Sequence, residues 1–178
     1  DAVEGPADGV FAMQARLAGA LGSALSVQMS ATERARLNTP PTSNTDALDA
    51  YWRGRALLER RDTPGNLQRA VVAFNEALRL DARFVDAHAA LAEADWELYD
   101  TTRETQYVEA AVQASKNAVA LAPEDAGVRV ALGVTLTRGG RNAEAVQELQ
   151  RALAVEPNHD EARRYLGRSL AALGRIDE

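Results

Sequence analysis

The chain of 178 residues carries 26 acidic and 20 basic side chains, a net charge of −6, and no cysteine. Without cysteine there are no disulfides, no cysteine-ligated zinc and no thiol catalysis. An acidic balance also argues against nucleic-acid binding, which needs a concentrated basic face. The acidic excess is confined to residues 83–125, and the segments on either side are close to neutral. A start at Asp1 rather than Met is expected of an excerpt from a longer protein. No charged stretch followed by a short apolar core opens it, so no signal peptide is expected and a cytoplasmic setting is favoured.

In chain order, the first element is a helical stripe with apolar residues at Val10, Met13, Leu17, Leu21 and Leu25. Gln14, Arg16 and Gln28 lie in the same stretch, which is unsuited to a membrane span. Ser30 and Glu33 form a capping box that opens a short second helix. "NTPPTSNTD", residues 38–46, reads as a loop. Beyond it strand signals are poor and helical spacing dominates.

The last third repeats itself. Pro123 returns as Pro157, and at the same spacing Leu132-Gly133 returns as Leu166-Gly167, Leu136 as Leu170, and Gly140-Arg141 as Gly174-Arg175. Upstream, "AVVAFNEALRLDA" supplies Ala70, Phe74 and Ala77, and "ASKNAVALAP" supplies Ser115, Ala118 and Pro123 after Ala111. In its period and its residues this pattern resembles the tetratricopeptide repeat (TPR) family, whose unit is a pair of helices. Leu132, Gly133 and Leu136 stand at that motif's positions on helix A. Ala145, Leu149, Ala152 and Pro157 stand at its positions on helix B. Small residues let the two helices approach, a large apolar one fills the groove beside them, and proline ends helix B.

The resemblance implies an all-α fold: a right-handed TPR-like solenoid of antiparallel helix hairpins with an N-terminal helical extension. Its expected parts are the extension (1–43), an extended first repeat (44–82), an extended second repeat (83–123), a regular third repeat (124–157) and helix A of a fourth (158–178). The first repeat has four surplus residues, around "ERRDTPGNLQ", and the second has seven, around "ELYDTTRETQYV". Such insertions either lengthen helices or bulge the loop between them. Gly139-Gly140 falls between helices A and B of the third repeat and is expected to stop one helix and turn into the next. The order of the N-terminal segment and "YWRGRALLERR" also looks like the linker entering the TPR region of bacterial multidomain signalling proteins.

His88 and His159 have no partner at ligand spacing, so both are expected to be structural. Glu93 and Glu97 are expected to form a solvated helix stripe. No EF-hand spacing, nucleophile elbow or phosphate-loop lysine accompanies the carboxylates. The expected function is therefore non-catalytic binding, with no cofactor and no metal.

In the resembled family, helix A lines a concave groove. The residues that carry across are Tyr51, Arg55 and Leu58, then Asp86, Ala89, Glu93, Trp96 and Glu97, then Val130, Val134, Thr137 and Arg138, and finally Glu161, Arg164 and Arg168. For Trp96, the core and interface readings carry equal weight. The lysine and asparagine clamp by which some members hold a peptide's terminal carboxylate is missing, its positions being held by Tyr51, Arg55, Glu93, Gly127 and Ala131. The expected partner is a protein or peptide, with neither nucleic acid nor membrane insertion. The alternative is a homodimer, formed through Val10, Met13, Leu17 and Leu21 together with Leu166, Leu170 and Leu173 of the last helix.

Overall fold

The computed structural model describes residues 41–175, and the fold concerns the unit that starts at Asp46. The expected N-terminal helices, with Val10, Met13, Leu17 and Leu21, lie outside the described residues. The described residues form seven helices and no strand. They are α1 (Thr45–Glu59), α2 (Asn66–Leu80), α3 (Val85–Thr102), α4 (Gln106–Leu121), α5 (Ala126–Arg138), α6 (Asn142–Val155) and α7 (Asp160–Ala172). They pair as α1/α2, α3/α4 and α5/α6, and α7 packs on α5 and α6.

Close approach within a hairpin depends on glycine. A Cβ on Gly133 of α5 would sit 2.5 Å from Leu149 Cγ of α6, and one on Gly54 of α1 would sit 2.5 Å from the Phe74 ring of α2. Only a residue without a side chain lets these helices close on a large apolar partner. Gly167, the counterpart of Gly133 in the next repeat, has no atom within 4 Å of its Cβ position.

The helix ends recur with the same period. At the end of α5, Gly140 N donates to Thr137 O (3.1 Å), Arg141 N donates to Leu136 O (2.8 Å), and Gly140 has φ +76°. At the end of α7, Gly174 N donates to Ala171 O (3.0 Å), Arg175 N donates to Leu170 O (2.9 Å), and Gly174 has φ +72°. Both are Schellman stops with a left-handed glycine after the cap. The paired glycines at 139–140 therefore end one helix and aim the chain into the next.

The two insertions are absorbed differently. Three residues join α3 to α4 and three join α5 to α6, but α3 has 18 residues and α4 has 16, against 13 and 14 in α5 and α6. The seven surplus residues of the second repeat therefore lengthen its helices. In the first repeat most of the surplus goes into the longer turn between Glu59 and Asn66. Asn66 Nδ2 braces that turn by donating to Arg60 O (2.9 Å).

The apolar core divides into two clusters. One is built on Leu58, Leu67, Phe74 and Leu98, and the other on Val112, Leu132, Leu136 and Leu149. Between them the middle hairpin carries polar or small residues where its neighbours carry large ones. Asp95 stands in the register of Leu136, and Ser115 stands where Phe74 and Leu149 do. Asp95 is 5% exposed. Burial pushes its carboxyl up to about 6.

Candidate interaction groove

Three turns between repeats are closed by the same device. Arg129 Nε donates to Pro123 O (2.7 Å), and Arg163 Nε and Nη2 donate to Pro157 O (3.1 and 2.6 Å). In the earlier turn His88 Nε2 lies 3.1 Å from Ala82 O, again six residues back, and there the ring nitrogen donates. His88 thus does for its turn what an arginine does for the next two. His159 caps α7, its Nδ1 accepting from Ala162 N at 3.4 Å. Among the described residues, no group of three or more His, Cys, Asp or Glu is placed to hold a metal.

The first helices of the hairpins, together with α7, wall a cavity of about 350 Å³. Nine of the expected groove residues line it: Tyr51, Arg55, Asp86, Ala89, Glu93, Trp96, Val134, Arg138 and Glu161. Arg55 Nη1 donates to Glu93 Oε2 at 2.8 Å, which ties α1 to α3 across the groove. The Tyr51 ring packs 4.9 Å from that of Phe84. Burial raises the pKa of the Tyr51 hydroxyl, Asp86 adds to the rise and Arg55 opposes it. The Asp86 carboxyl is also raised, by desolvation in the groove wall and then by Asp125.

Trp96 is both buried and in the cavity wall. It is 5% exposed yet lines the cavity, because Arg138 lies over it with Cζ 4.3 Å from the ring centroid. Trp96 Nε1 donates to Asp100 Oδ2 at 3.1 Å, and Arg138 Nη2 donates to the same oxygen at 2.7 Å. The cation is held over the indole face by a carboxylate that also anchors the indole edge.

The remaining expected groove residues lie elsewhere. Thr137 is buried: its Oγ1 donates to Gly133 O at 2.7 Å and lies 2.8 Å from Ser169 Oγ on α7. Leu58 and Trp96 occupy the same register in their hairpins and are also buried. Of the three only Trp96 reaches the cavity; Val130 is buried too, and Arg138, next to Thr137, lines the cavity. Glu97 is drawn aside by Arg61, 3.5 Å away. Glu93 and Glu97 are thus both paired to the first repeat instead of forming a free stripe. Arg164 pairs with Glu161 at 3.2 Å, and neither it nor the exposed Arg168 lines the cavity. Of the expected apolar surface on α7, Leu170 is already buried and Leu166 half-buried; Leu173 is exposed.

Sequence reasoning missed the groove floor. Ser115 and Thr135 reach the cavity from α4 and α5, with Oγ and Oγ1 3.3 Å apart. The available signal was Ser115 itself, a small polar residue where the repeat pattern expects phenylalanine.

A family model described as tetratricopeptide repeat matches residues 136–178. The helix pairs, their glycine contacts and their recurring stops extend the same architecture over the whole described unit. This is a tetratricopeptide-repeat fold. Among solved structures, a thermophilic TPR protein of Thermus thermophilus is 25% identical over 96% of this chain and 85% of that one, with a TM-score of 0.64. The first TPR of Spaghetti (RPAP3), bound to the HSP90 peptide SRMEEVD, is 20% identical over 75% of this chain and 99% of that one, with a TM-score of 0.63. The second TPR domain of human RPAP3, in complex with the HSP70 peptide SGPTIEEVD, is 21% identical over 73% and 98%, with a TM-score of 0.61. No curated protein matches the sequence. Among the described residues, no helix of this TPR unit is long and apolar enough to cross a membrane.

Proposed function

We propose that this TPR unit is a non-catalytic binding module that takes a peptide or partner domain in the groove walled by α1, α3, α5 and α7. The observation that carries this reading is the cavity itself, rimmed by Tyr51, Arg55, Asp86, Glu93 and Arg138 over a Trp96 platform. Aromatic and arginine residues in a depression are the usual anchors of an interface. The two RPAP3 domains hold peptides ending in EEVD. In this chain Asp86, Glu93 and Glu161 line the groove, so we expect a ligand other than an acidic C-terminus.

Display of a random dodecapeptide library tests the reading. Enriched peptides are expected to lose at least about tenfold in affinity on Glu93→Lys, because reversing a charge in the recognition surface sets like against like. They are expected to bind normally when Val72, exposed on α2, is changed to serine. Equal sensitivity to both substitutions sinks the groove.

The bacterial signalling setting rests on the likeness of "YWRGRALLERR" and the preceding segment to linkers of such proteins. Self-association is the second reading, supported by the open Gly167 position on α7 and the exposed Leu173 that follows that helix. Sedimentation with no concentration dependence removes it.

A further inference from the structure

We propose that the middle hairpin of this groove holds a pocket for one basic side chain, a lysine or arginine of the bound peptide. The inference rests on the groove reading and specifies its chemistry.

The pocket comes from a break in the repeat. In the outer hairpins a large side chain closes the space between helices: Phe74 against Gly54, and Leu149 against Gly133. The corresponding pair in α3 and α4 is Ala92 and Ser115, and both line the cavity. Part of the space that phenylalanine or leucine fills elsewhere is thus left at the bottom of the groove. Its walls include Ala89, Ala92, Ala131 and Val134, which suit the methylene stem of a long side chain.

The floor and rim select the head group. Ser115 is 2% exposed, and its Oγ lies 3.3 Å from Thr135 Oγ1. Thr135 Oγ1 donates its one proton to Ala131 O at 2.9 Å. The Ser115 hydroxyl therefore donates to Thr135, leaving Ser115 Oγ with acceptor lone pairs toward the cavity. A group entering here must bring donors. On the rim, Arg55 and Arg138 are engaged by Glu93 and Asp100 at 2.8 and 2.7 Å. Asp86 lines the cavity without an ion-pair partner among the described residues. An acidic side chain would meet lone pairs and a carboxylate, and an apolar one would make no use of the Ser115 acceptor. An ammonium or guanidinium on an apolar stem satisfies floor, walls and rim together.

The test uses dodecapeptides enriched on the wild-type protein and fluorescence anisotropy of labelled copies. A basic residue is expected at one fixed position. Its replacement by norleucine, which keeps the stem and removes the charge, is expected to weaken binding about tenfold or more, and glutamate further still. The double variant Ala92→Gly/Ser115→Leu copies the Gly133–Leu149 pair and should fill the pocket, abolishing the preference for the basic residue over norleucine. Should that variant fail to fold, Asp86→Asn, a near-isosteric change in the groove wall, is expected to reduce the same preference several-fold. Norleucine peptides that bind as well as their lysine or arginine parents overturn the proposal. If such peptides still lose affinity on Glu93→Lys, the groove reading survives. Binders indifferent to every groove substitution overturn both.

Discussion

Asp95 on α3 is 5% exposed and makes no hydrogen bond or ion pair among the described residues, and burial raises its carboxyl from 3.8 to about 6. The native state therefore holds this proton more tightly than the unfolded chain does. The resulting stability is fully present below the unfolded value of 3.8 and is lost as pH rises through about 6. With each pKa unit worth about 1.4 kcal/mol, the loss above pH 7 is about 3 kcal/mol. Asp95→Asn removes the ionisation but keeps a polar amide, so the expected gain at pH 7.5 is about 1–3 kcal/mol. That corresponds to a melting temperature higher by roughly 3–10 °C. At pH 3.5 the gain should shrink toward zero, because the wild-type carboxyl is then protonated. Thermal unfolding followed by circular dichroism, wild type against variant at the two pH values, reads the difference directly. A difference that is the same at both pH values refutes the reasoning, since no raised carboxyl would then be titrating.

Two substitutions at matching positions of successive repeats should act in opposite directions. Gly133→Ala drives a Cβ to 2.5 Å from Leu149 Cγ and should destabilise by about 1–3 kcal/mol. Gly167→Ala meets nothing within 4 Å and should stabilise α7 by up to about 1 kcal/mol through helix propensity; urea unfolding checks both. Arg138→Ala should uncover Trp96, seen in a Trp52→Phe background as a red-shifted emission and stronger acrylamide quenching. His88→Ala should cost about 1 kcal/mol by leaving Ala82 O without its donor, and His88→Arg, which copies Arg129 and Arg163, should recover most of it.

What could be read in the sequence was what repeats. Pro123 and Pro157, Gly140 and Gly174, and the Gly133–Leu149 pair each follow from backbone or packing constraints that act within one repeat. The site was less legible because it depends on contacts between units. Thr137 was placed in the groove by analogy of position. It is buried because Ser169 of α7 meets it there, a contact that the third repeat alone does not predict. His88 reads as a lone histidine until the turn carbonyl six residues earlier is seen to need a donor. The Ser115 departure was visible, but a missing side chain becomes a pocket only when its neighbours, Ala92 and Thr135, are also too small to fill the space.

The most direct test of peptide binding in the groove is amide chemical-shift mapping of an enriched dodecapeptide on the ¹⁵N-labelled protein. The largest shifts are expected at Ala92, Ser115, Ala131, Val134 and Thr135, around the cavity floor. Shifts centred instead on Val72 and the outer face of α2, or on Leu173 after α7, with the floor unmoved, would contradict it.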